Sequence, residues 1–151
     1  MSSIDRSRDT RQESQKISTG MLLNSIASTE QRFVARELHE ALLDLPRIWA
    51  PSEVFAHESI SYRLNGRAFV HMAPPLETDR TEVHVLEGPY ALPTLLDMVK
   101  HALPSTAEVV SHPTAPHRHT KGGEIIIRVD RETVRDVYRF LLQLYRRECG
   151  Y

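Results

Sequence analysis

The dipeptide Asn65-Gly66 constrains the fold of this chain more than any other pair of residues. It lies between two runs that mix apolar and polar residues, 59–64 and 67–72. A two-residue type I′ turn needs positive φ at both central positions, and Asn followed by Gly meets that need at the lowest cost. The segment is therefore expected to form a β-hairpin. Counting outward from the turn pairs Leu64 with Arg67, Tyr62 with Phe69 and Ile60 with His71. Cross-strand partners share one face of a sheet. This register sets His71 beside Tyr62 and Phe69 on a largely apolar face, which needs helices over it.

Other elements follow from period and punctuation. Ser28 and Gln31 form a capping box that opens a helix, and Val34, Leu38, Leu42 and Leu45 recur at helical spacing until Pro46 stops it. Residues 81–86 alternate around Val83 and Val85 and read as a third strand. A short helix over 92–103 tolerates Pro93 in its first turn. Strands are expected over 107–112 and over the β-branched run 124–129. Asp130 caps a last helix with the stripe Val134, Val137, Leu141, Leu144 and Tyr145. The fold class is α+β: an antiparallel or mixed sheet of about five strands, packed by N-terminal and C-terminal helices. Residues 28–151 form one domain. Residues 1–27 are rich in Ser, Arg, Gln, Thr and Asp and read as a disordered arm. Within that arm Met21, Leu22, Leu23 and Ile26 are able to dock.

Composition excludes several classes. No apolar run approaches the length of a membrane-spanning helix, about 20 residues, and no secretory signal opens the chain, so a cytoplasmic location and no membrane partner are expected. A formal net charge of −1 gives no global attraction to nucleic acid, the disfavoured partner. The single cysteine, Cys149, allows no internal disulfide.

Eight histidines are the compositional oddity. His71 is either a base lining a pocket or a core residue satisfied by a backbone carbonyl. His84, between Val83 and Val85, points opposite to both. His112, His117 and His119 cluster around a Pro-rich loop; alternate residues on an extended chain share a side and can chelate a metal. No further ligand completes a set, so no metal and no cofactor is expected. Arg131, Arg135, Arg139 and Arg146 flank the last helix as a phosphate-binding stripe or, as favoured here, a solvated face with local acidic partners.

Five segments carry a family resemblance: N-G-R-A-F-V-H-M over 65–72, a short helix, A-E-V-V-S-H-P over 107–113, G-G-E-I-I-I-R-V over 122–129 and V-Y-R-F-L-L-Q-L-Y-R-R over 137–147. From about residue 53 to 147 the chain resembles the luciferase-like domain family, named for fungal luciferases and including many small bacterial members. Ala73 stands where that family often has the second histidine of H-x-H, and Glu124 where an aromatic residue often follows the glycine. The resemblance implies a small-molecule pocket between sheet and helices and cofactor-independent oxygenase-type chemistry. It places catalytic roles on His71 and His112. Tyr62, His84, His117 and His119 are the expected ligand-binding residues. The element order is also similar, more weakly, to YjbR-like proteins. The alternative class is a non-enzymatic binding module for a protein or nucleic-acid partner.

Overall fold

A computed structural model describes residues 16–55, 59–75, 79–88, 90–113 and 122–150. Eight strands and four helices lie among them, in the chain order β1 (Lys16–Ser18), α1 (Thr19–Asn24), α2 (Thr29–Leu43), β2 (Ile48–Trp49), β3 (Glu53–Phe55), β4 (Ile60–Leu64), β5 (Arg67–Ala73), β6 (Thr81–Leu86), α3 (Leu92–Ala102), β7 (Glu108–His112), β8 (Glu124–Val129) and α4 (Val134–Glu148). The main sheet runs β2-β4-β5-β6-β8-β7, and every neighbouring pair is antiparallel. The architecture is α+β as expected, with six strands in this sheet rather than five. The extra strand, β2, has only two residues, too few to show alternation.

Among the described residues, helices cover one face only. Thr81, Val83 and Val85 of β6, and Ile125, Ile127 and Val129 of β8, are buried there under α2, α3 and α4. The α4 stripe is Val134, Val137, Phe140, Leu141, Leu144 and Tyr145, all buried. Phe140 widens it beyond the expected set. The Tyr145 hydroxyl donates to the Pro46 carbonyl at 2.8 Å, tying α4 to the chain just past α2. Asp130 caps the turn before α4 rather than the helix itself: its carboxylate accepts from the backbone N–H of Glu132 and Thr133 at 2.9 and 3.0 Å.

Half of the expected capping box forms. Ser28 Oγ accepts from the Gln31 N–H at 3.2 Å. The Gln31 side chain, instead of reaching back, turns inward: its amide donates to the Val129 carbonyl at 3.3 Å and its oxygen accepts from the Thr81 N–H at 2.7 Å. One buried side chain thus clasps α2 to the ends of β6 and β8.

The expected arm over 1–27 is too long. Residues 1–15 lie outside the described residues, but β1 pairs with β3, and Leu22, Leu23 and Ile26 are at most 3% exposed. The short segment folds because these three side chains reach the main core, although its flanking composition is polar.

At the far end of the sheet one carboxylate organises three elements. Glu87 accepts from the Leu92 N–H at 2.7 Å, opening α3, and from the Gly123 N–H at 3.3 Å, where β8 begins. A Cβ on Gly123 would stand 2.6 Å from the His112 carbonyl oxygen and 3.0 Å from that of Pro113. Only glycine lets β7 and the start of β8 approach so closely.

Candidate functional site

The hairpin turn forms as expected, with φ of 52° at Asn65 and 79° at Gly66. Leu64 pairs with Arg67, but the register then shifts between Tyr62 and Arg63. Tyr62 faces Val70, Ser61 faces His71 and Ile60 faces Met72. Phe69 is the extra residue of a β-bulge. The bulge lets Phe69 and Val70, adjacent in sequence, both be buried, at 6% and 0% exposure. A one-residue slip moves every later side chain to the opposite face.

The expected grouping of His71 with Tyr62 and Phe69 is therefore corrected. Tyr62 lies on the helix-covered face and is fully buried. Its hydroxyl meets His39 Nδ1 of α2 at 2.7 Å. Burial pushes the phenol well above its usual range, so it stays protonated and donates to a neutral His39. Burial also lowers His39, opposed by the neighbouring Glu40 charge. Tyr62 thus clasps β4 to α2, on the face opposite His71.

His71 projects from the face without helices, where the antiparallel registers align three rows. His71 faces His84, which faces Ile126, which faces Val110. Leu86, Glu124 and His112 form the row on one side; Glu82, Arg128 and Glu108 form the row on the other. His71 is 9% exposed and Glu124 1%. His84 stands between two carboxylates, with Nδ1 3.4 Å from Glu124 Oε2 and Nε2 3.3 Å from Glu82 Oε1. The chain of ion pairs continues from Glu82 to Arg128 at 3.4 Å, from Arg128 to Glu108 at 3.4 Å and from Glu108 to Arg80 at 2.6 Å. Three carboxylates thus meet two guanidiniums and one imidazole.

The fold brings together His71 and His84, and His112 joins them through Glu124. Sequence reasoning missed Glu124 and Glu82 as members of this group. The signal was available: Glu82 and His84 are two apart on one strand, and Glu124 directly precedes the apolar run Ile125-Ile126-Ile127. His117 and His119 lie outside the described residues. Among the described residues no three His, Cys, Asp or Glu side chains are arranged to hold a metal ion.

The hollow between sheet and helices is lined by none of these histidines. A cavity of about 200 Å³ is lined by Phe69, Val85, Tyr90, Leu95, Leu144 and Glu148, among others. Burial raises the Glu148 carboxyl above its usual value, against the lowering effect of Arg67. The arginine flank of α4 is a solvated face: Arg139 pairs with Asp136 at 3.1 Å, and Arg131 stacks over Phe33 at 5.4 Å. No described helix is long and apolar enough to cross a membrane. No family model, curated protein or solved structure matches the chain.

Proposed function

We propose that the chain is a small-molecule-binding domain of the luciferase-like kind, with its reactive groups on the helix-free face of the sheet. The observation that carries this reading is the Glu124 carboxylate, 1% exposed and 3.4 Å from His84 Nδ1. A buried carboxylate is costly to keep unless it is paired. What it provides is orientation: a carboxylate on one ring nitrogen fixes the tautomer and the plane of an imidazole. His84, held between Glu124 and Glu82, is the positioning residue. His71, its cross-strand partner, is the general base. The imidazole of His71 takes a proton from an acidic hydroxyl of the substrate, leaving a substrate anion. Reaction of that anion with molecular oxygen, without a cofactor, is the chemistry the family resemblance suggests. His112, half-buried across from Glu124, contacts the ligand at the rim.

The test uses a hydroxylated pyrone as probe. Its addition should shift the imidazole resonances of His71 and His84 and support oxygen uptake, with uptake lost in His71→Phe. Shifts confined to Phe69 and Leu95 would move the ligand to the cavity under the helices. That result, or no shift at all, overturns this reading.

A further inference from the structure

The two edges of the main sheet are unlike. The edge strand β2 has two residues between Pro46 and Pro51, and its Trp49 is stacked by Arg63 at 5.9 Å. Short strands flanked by proline offer little backbone to another chain. The other edge, β7, has five residues with no proline or lysine among them, and among the described residues no strand pairs with its outer side. Val110, at its centre, is an exposed large hydrophobic residue, 37% accessible. Beside it on the helix side lies a groove of about 430 Å³, lined mainly by Leu96, Val99, Leu103, Pro104, Ala107 and Val109.

The sequence of β7, Glu-Val-Val-Ser-His, is complementary to itself when reversed. Antiparallel pairing of two copies about Val110 puts Glu108 opposite His112 of the second copy, Val109 opposite Ser111, and Val110 opposite Val110. An acid then faces an imidazole N–H at both ends of the ladder, with an apolar pair at the twofold axis. Glu108 already accepts from Arg80 and Arg128. A carboxylate has about four acceptor sites, so capacity for the imidazole remains. On the helix side, the second copy's β7 and α3 close the open flank of the groove. Opposite charges and apolar pairs directly across a ladder are stabilising, whereas like charges there are not.

We infer that a second copy of this chain pairs with β7 about a twofold axis at Val110, making one continuous antiparallel sheet from the two main sheets. An isologous contact of this kind closes on itself and leaves neither β7 edge free. The inference rests on the geometry of the β7 edge and shares only His112 with the proposed chemistry.

Sedimentation equilibrium of the full chain should show a monomer–dimer equilibrium. Val110→Lys sets two like charges opposite each other at the axis and should weaken the dimer by about tenfold or more, with the thermal melt reporting that the chain still folds. Should that variant unfold, cross-linking decides. In a Cys149→Ser background, Val110→Cys should form an intermolecular disulfide far faster than Trp49→Cys, on the opposite edge. A monomer at every concentration overturns the inference. So does a dimer indifferent to Val110→Lys, or a Val110→Cys cross-link no faster than the Trp49→Cys one.

Discussion

The two faces of the main sheet are made by the same strands, yet they solve opposite problems. Under the helices, Ile125, Ile127, Val129, Val83 and Tyr62 exclude water and supply the stability of the fold. On the other face the sheet presents His84, Glu124, Glu82, Arg128 and Glu108, joined by ion pairs of 3.3 to 3.4 Å. The apolar core therefore lies on one side and the charged and titratable side chains on the other. A bulge at Phe69 enforces the separation, since without it His71 would have entered the core and Met72 would have left it.

Adjacent residues of β8 offer the sharpest way to break this comparison. Ile127 is fully buried on the helix face, and Ile126 is only half-buried on the other. Ile127→Ala should cost about 2–5 kcal/mol, and so should Leu141→Ala in the middle of the α4 stripe. Ile126→Ala should cost roughly 1 kcal/mol, in proportion to the smaller area it buries. Urea unfolding of the three variants measures the difference. Equal losses at Ile126 and Ile127 would mean that the second face is covered as heavily as the first.

Gly123→Ala tests the corner where both faces end. The added methyl meets backbone carbonyls of His112 and Pro113 at 2.6 and 3.0 Å, which cannot rotate away. A loss of about 1–3 kcal/mol is expected, in the range of overpacked sites. A neutral result would show that β7 shifts freely against β8.

Much of this was legible in the sequence, and the failures have physical causes. The hairpin, the β-branched strand and the α4 stripe each carry a local signal strong enough to fix an element. The face of His71 was misassigned because a bulge is a tertiary choice. Counting from Asn65-Gly66 gives the right partner for Leu64 and the wrong one for Tyr62. The clue was the adjacent apolar pair Phe69-Val70, which alternation cannot bury and a bulge can. The His84–Glu124 contact joins residues 40 apart through strand order, which no local pattern encodes. Leu22, Leu23 and Ile26 were visible as able to dock, but the polar residues around them hid that they are core.

A smaller effect is expected at the clasp between Tyr62 and His39, on the covered face. Tyr62→Phe removes one hydrogen bond of 2.7 Å and keeps the ring packing. The loss should be about 1 kcal/mol, the net value of a typical hydrogen bond. His39 is half-buried and can be solvated in its place. A loss several times larger would mean that the phenol holds more than this one partner.

The smallest expected effect is the pH dependence of stability, where two groups act with opposite signs. Burial lowers His39 below its ordinary value of 6.5. In the window beneath that value the unfolded chain binds the proton and the folded chain resists it, so stability falls as pH drops through the window. Burial raises Glu148 above its ordinary value of 4.5. In the window above that value the folded chain keeps a proton the unfolded chain has lost, so stability falls as pH rises. The two windows open toward each other and partly cancel in the parent chain, leaving a shallow profile. Separate variants should expose each limb. With Glu148→Gln the loss of stability on acidification from neutral pH should become steeper, because only His39 remains. With His39→Gln that acid loss should vanish, leaving a profile that declines from the acidic side upward. Tyr62→Phe should retain the His39 limb, since burial, not the phenol, is what lowers the imidazole. Denaturation midpoints across the acidic range measure all four chains. An acid limb that survives His39→Gln would assign it to another group, and the helix-free histidines would then be the first to examine.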